Sequence, residues 1–256
     1  MAEFSSENLT GARFDDVYLT GARFHDVDLT GASFRLVDLT GVSIRGALVV
    51  NVEINGEVEN LRVNGVDVAP FVEAELNRRY PERTRLRPAT AAGYREIWPV
   101  LERLWADTVT RARGLPPGRL HERVDGEWSF IETLRHLVFA TDAWVRRALL
   151  GDPSPWNELD LPHDEMPDMP GVVPRDRAAR PDLDEVLALR ADRMATVRQV
   201  IAGLTDEQLA GQTEPVLAPG YPAPESFAVS RCLQAILVEE WHHRWYAERD
   251  LDALQG

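Results

Sequence analysis

The sequence predicts two domains of unlike class, a short β-solenoid followed by an all-α four-helix bundle. Three observations carry that reading. From Phe4 to Ile54 an apolar residue returns every five positions, a period that fits neither a helix nor a flat strand. Beyond about residue 88 the apolar spacing changes to the three-and-four pattern of amphipathic helices. Between them, Pro81 to Pro88 is rich in arginine and bounded by prolines, which reads as a linker. The expected domains are therefore a solenoid over 1–68, a short helix and linker over 69–90, and a bundle over 91–254.

The repeat places Phe4, Leu9, Phe14, Leu19, Phe24, Leu29, Phe34, Leu39, Ile44, Val49 and Ile54 in one phase, eleven units in all. Two positions before most of them stands a small or branched residue, such as Ala12, Val17, Ala22 or Val27. A solenoid uses such a period by turning the large residue and its small partner into a narrow core while the other positions face solvent. These units resemble the pentapeptide-repeat family, and the resemblance implies a right-handed quadrilateral β-helix with four units per coil, here between two and three coils. Some members of that family mimic DNA and bind topoisomerases; the resemblance therefore offers an interaction surface or DNA mimic beside a structural cap or dimerisation surface. After Ile54 the phase weakens, and Asn55-Gly56 and Asn64-Gly65 read as turns between short strands. Pro70 to Tyr80 reads as a brief helix.

Helical spacing begins with Tyr94, Ile97, Trp98, Leu101, Leu104, Trp105 and Thr108, a stripe that ends at Gly114 before Pro116-Pro117. Ser129 followed by Glu132 is a capping box, so a second helix should start at Phe130 and stop at Leu150 before Gly151 and Pro153. Leu183, Val186, Leu187, Met194, Val197, Ile201 and Leu204 define a third. The fourth covers Ser226 to Arg249, and its first half is apolar nearly all round, as in a buried helix. With one long crossover from Gly151 to Pro181, these make a four-helix bundle.

Chemistry concentrates in Glu239-Glu240-Trp241-His242-His243. Glu239 and His243 stand at i and i+4 and share a helix face with Cys232, Ile236 and Ala247. A carboxylate and an imidazole in an apolar stripe need compensation, and a divalent metal is the usual compensator. The third candidate ligand is His136, on the second helix. Glu240 reads as a solvated partner of Arg244 at i+4, and His242 as a surface histidine, with Glu239 and His242 a weaker rival pair. Glu132 is accounted for by its capping box, His25 faces outward on the solenoid, and His121 and His163 fall in loops, His163 in the crossover that could cover a site. Trp128, just ahead of the helix bearing His136, is placed at the pocket as a substrate-binding residue. A ferritin-like di-iron centre would need a second Glu-x-x-His helix and two further glutamates, and none is visible.

Charge narrows the function class. The 28 basic residues are all arginine and face 42 acidic ones, a formal net charge of -14 that repels phosphate backbones and anionic membranes. Direct nucleic-acid binding and membrane association are not expected. The one cysteine, Cys232, excludes an internal disulfide and suits a reducing compartment. Without a leader or an apolar spanning run, a cytoplasmic protein is expected.

Gly126-Glu127-Trp128-Ser129 with His136 on the following helix, and Glu-Glu-Trp-His-His-Arg on the last, resemble the DinB superfamily of bacterial metal-binding bundles over about residues 91–254. That resemblance implies a ligand set of one histidine on the second helix and two at i and i+4 on the last. His136 and His243 match, and Glu239 stands where a third histidine is usual, which leaves a two-histidine, one-carboxylate set of the kind found in catalytic zinc sites. It implies a divalent metal (zinc, nickel or iron) and a thiol transferase-like or isomerase activity using mycothiol, bacillithiol or glutathione. A small-molecule thiol and an electrophile would then be the partners. A non-catalytic stress-response or protein-binding module is the alternative, and either domain could pair in a homodimer.

Overall fold

In the computed structural model, residues 4, 5, 7–56 and 58–255 are described, and the chain divides into two compact units between residues 57 and 58. In the first unit the fivefold sequence period appears as a tenfold backbone period. Gly11, Gly21, Gly31 and Gly41 adopt φ of +74° to +76° at the third position of turns. Those turns are closed by Ala12 N–H to Leu9 C=O, Ala22 to Leu19, Ala32 to Leu29 and Val42 to Leu39, all at 2.9–3.1 Å. A positive φ there marks a type II turn, which explains why glycine recurs at every second unit. Thr30 and Thr40 N–H donate to Asp28 and Asp38 Oδ1 at 2.9 and 2.8 Å, an Asx step into the turn.

The quadrilateral β-helix expected from the repeat is not seen. No strand forms among the described residues of this unit, and Phe14, Phe24 and Phe34, expected inside, are 57–65% exposed. The turns close over four neighbouring residues. A strand ladder would instead require contacts between whole coils, and a stack of two to three coils with open ends recovers little of the ordering entropy.

In the second unit Asn64-Gly65, both at positive φ, join β1 (Arg62–Val63) to β2 (Val66–Asp67). Helix α1 (Ala69–Arg79) and a 3₁₀ turn (Pro81–Arg85) lead into the bundle. Its long helices are α2 (Ala91–Ala112), α3 (Phe130–Thr141), α4 (Leu183–Gly203) and, after a single turn α5 (Asp206–Leu209), α6 (Val229–Gln255). Thr90 caps α2 by accepting from Gly93 N–H. Helix α3 passes into a π-helix (Asp142–Leu149) before Gly151. Tyr94, Trp98, Leu101, Val197, Ile201, Leu233, Ile236 and Trp241 form the upper core, and Trp105, Ile131, Leu134, Val186, Ala247 and Leu251 the lower one.

All twelve residues of α3 are buried, His136 among them at 4% exposure, although His136 lies off the main apolar stripe. The crossover accounts for this. Arg135, fully buried, donates to the carbonyls of Leu159 at 2.8 Å and Asp176 at 2.7 Å, strapping residues 151–182 over the outer face of α3. Glu240 differs from its expected surface role: it is 1% exposed and makes a two-pronged pair with buried Arg190 at 2.8 and 3.2 Å. Arg244 turns instead to the Leu104 carbonyl and the Thr108 hydroxyl. Helix α6 packs against α2, α3 and the π-helix, and Arg190 reaches it from α4, so a face that looks solvated on an isolated helix is interior here.

The capping box is present as read. Glu132 accepts from Ser129 N–H at 2.9 Å and from Arg123 at 2.6 and 2.9 Å. Burial pushes its carboxyl up, but Arg123 and the Ser129 N–H outweigh this and hold it below the usual range. A lowered folded value stabilises above the unfolded one, near 4.5, and the gain disappears as pH falls through the folded value. Glu132→Gln should therefore cost about 1–2 kcal/mol at pH 7 in urea titrations and almost nothing near pH 2. A cost that does not change with pH would mean that the charge contributes nothing.

Candidate metal centre

Glu239 and His243, one turn apart on α6, meet His136 of α3. One ligand atom from each lies within 4.8 Å of the others. Glu239 Oε2 is 3.0 Å from His243 Nε2 and 3.3 Å from His136 Nε2, and the two imidazole centroids are 4.7 Å apart. Exposure rises across the trio, from 6% for the His136 side chain through 19% for His243 to 31% for Glu239. The group is reached from the Glu239 side.

The decisive contact is behind His136. Its Nδ1 is 2.9 Å from the Leu161 carbonyl, which can only accept, so Nδ1 carries the proton. In the neutral ring, Nε2 then presents a lone pair toward a carboxylate oxygen that also presents lone pairs. Such a juxtaposition is repulsive unless the ring is protonated or a cation lies between them, and a ligating histidine is commonly fixed by this kind of back-side bond. The donor set therefore fits a divalent ion.

Electrostatics point the same way. Burial pushes the Glu239 carboxyl up, yet the imidazoles of His136 and His243 beside it outweigh burial and hold it well below the usual range. Burial also pushes the His243 imidazole down, against the raising effect of Glu239, which favours the neutral, ligating ring.

Trp128, read from the sequence as a substrate-binding residue, has its ring 4.5 Å from His136 and stacked at 5.8 Å and 12° on His243. Other histidines stay apart. His25 is exposed on the repeat unit, His121 ends a 3₁₀ turn, and His242 is exposed with its ring 6.5 Å from Tyr246. His163 lies in the crossover against Phe139 and Tyr221. The sequence reading missed Phe139, 6.0 Å from His136, and Tyr246, 6.2 Å from His243. Both stand at i+3 from a candidate ligand, a spacing that could have found them. Nothing in the sequence could have found the Leu161 carbonyl.

Residues 100–247 match the family model described as DinB superfamily, and residues 4–47 match pentapeptide repeats in eight copies. No curated protein and no solved structure matches the chain. Among the described residues no helix is long and apolar enough to cross a membrane.

Proposed function

The chain belongs to the DinB superfamily, and we propose that its bundle holds one divalent cation, zinc, nickel or iron, between His136, Glu239 and His243 and uses it to react a low-molecular-weight thiol with an electrophile. The supporting observation is the convergence of the three ligand atoms within 4.8 Å, with the His136 lone pair aimed at a carboxylate. When bound by three protein ligands, such a cation supplies a Lewis acid with a position left open for a sulfur or oxygen. Leu161 fixes the His136 tautomer, Glu239 offsets part of the positive charge, and Trp128 covers the two imidazoles with a flat apolar face that excludes water. The acidic, single-cysteine chain suits the cytoplasm.

Purified protein should carry about one divalent metal per chain by mass spectrometry, since three ligands form one site. His243→Ala should empty it. Full occupancy in that variant would remove His243 from the site.

One observation favours a second reading, a non-catalytic module whose repeats recruit a protein partner. Val17, Leu29, Phe34 and Ile44 are 50–75% exposed along one unit, a density of apolar surface that marks interaction sites. Consumption of thiol with an electrophile, abolished by a chelator, supports the enzyme. Its absence, together with capture of a partner by residues 4–56, supports the module.

A further inference from the structure

The crossover that fixes His136 carries a second imidazole that the proposed chemistry leaves unused. Leu161 touches His136, and His163 is two residues along the chain, so its backbone lies within about 7 Å of that contact. The His163 ring packs on Phe139 at 6.5 Å and edge-on to Tyr221 at 5.2 Å. Phe139 in turn touches His136, and the Tyr221 phenol, pushed up first by burial, is pushed further by the charge of Glu239. Phe139 therefore lies between His163 and the three-ligand cluster.

Its hydrogen bonding fixes the tautomer. Nδ1 lies 3.2 Å from Glu165 Oε2, an acceptor, so Nδ1 holds the proton and Nε2 the lone pair. Nε2 is shut off from solvent and has no hydrogen-bond partner among the described residues. Trp156, stacked at 5.9 Å on the same Phe139 ring, has an indole N–H that is likewise buried without an acceptor. Buried polar groups are seldom left unpaired, and here an orphan acceptor and an orphan donor flank one aromatic ring beside the cluster. Arg175 and Arg177 do not compete for Nε2, since Arg175 binds the His163 carbonyl at 3.0 Å and Arg177 pairs with Asp164 at 2.8 Å.

We propose that Glu165 and His163 form a proton-accepting dyad in which His163 Nε2 takes the proton of a small thiol arriving beside His136, Glu239 and His243. The S–H bond breaks, an N–H bond forms at Nε2, and the electron pair stays on sulfur. Glu165 faces the Nδ1–H of the resulting imidazolium and stabilises it. Return of that proton from Nε2 to the departing product restores the base. This inference rests on the proposed cation site and adds to it the residue that activates the thiol.

The test loads the full chain with cobalt(II), mixes it with 2-mercaptoethanol in a stopped-flow instrument and follows the sulfur-to-cobalt absorption. His163→Gln should slow formation of the band on the order of a hundredfold, the lower range for a general base, and added free imidazole should restore the rate in proportion to its concentration. Glu165→Gln, on a 60% exposed side chain, keeps the imidazole and should slow it less, about tenfold. Unchanged rates in both variants, or a slowing that imidazole does not relieve, overturn the dyad while leaving the cation site standing. A cobalt-loaded parent protein that gives no sulfur band also overturns the dyad alone. Failure of the parent protein to take up cobalt overturns the site and the dyad together.

Discussion

Glu240→Ala should destabilise the bundle by about 3–5 kcal/mol, because it leaves the Arg190 guanidinium buried with no counter-charge. Arg190 is 3% exposed and donates through both terminal nitrogens to Glu240, with its guanidinium 4.8 Å above the Trp105 ring. Its other hydrogen bond is to the Met194 sulfur at 3.8 Å, too weak to replace a carboxylate. For a unit of about 200 residues, a loss of this size lowers Tm by roughly 10 °C. The pair itself need not be stabilising, since two charges leave water to form it; the double variant Glu240→Leu with Arg190→Met should therefore recover most of the loss. Both measurements belong in chelator, so that an effect on the neighbouring Glu239 does not enter. A cost below about 1 kcal/mol for Glu240→Ala would show that water reaches the guanidinium.

That pair also marks the limit of reading the bundle from periodicity. The long helices were legible because their signals are local: a capping box at Ser129 and Glu132, a stop at Gly151, a three-and-four stripe from Tyr94 to Thr108. The candidate trio was legible in part for the same reason, since Glu239 and His243 share a face on any helix. Glu240 could not be read that way. On an isolated helix it falls beside Arg244; its true partner, Arg190, lies 50 residues away on α4, and no local pattern encodes that side chain's reach to α6. His136 shows the complementary case. Its own helix does not bury it; the crossover does, through the Arg135 strap and a backbone carbonyl at Leu161 that has no side-chain signature.

The repeat unit was legible in a different part. Its turn chemistry was written in the glycines and the Asx residues, and those turns form. The coil-on-coil pairing that would bury Phe14 or Phe24 depends on contacts between units rather than within one, and it is this step that the structure does not show. Local chemistry thus carried through in both units, and the long-range packing that turns it into a core did so only where the four helices enclose a shared interior.

Glu239→Gln should move metal affinity and stability in opposite directions, which makes it the sharpest test of the proposed cation site. In the metal-free protein the Glu239 carboxylate faces the lone pair of His136 Nε2 at 3.3 Å, an arrangement that no hydrogen atom relieves while the Leu161 carbonyl holds the ring proton on Nδ1. An amide supplies the missing donor. Both imidazoles meet the same oxygen, Oε2, at 3.3 and 3.0 Å, so the amide must turn for its N–H to face His136 Nε2 and its carbonyl His243 Nε2; with that turn the metal-free bundle should gain about 1 kcal/mol in urea titrations. The same change removes an anionic ligand and should weaken divalent-metal binding on the order of a hundredfold or more, more than the loss of an outer-shell partner. A residue kept for stability alone would lose on both measures or on neither. The opposite signs follow only if the carboxylate is held against an unprotonated imidazole for the sake of an ion, a local conflict of the sort that functional sites retain. Unaltered metal affinity in Glu239→Gln would remove the carboxylate from the ligand set, and a loss of metal-free stability would show that His136 is protonated at rest and that the pair is a salt bridge.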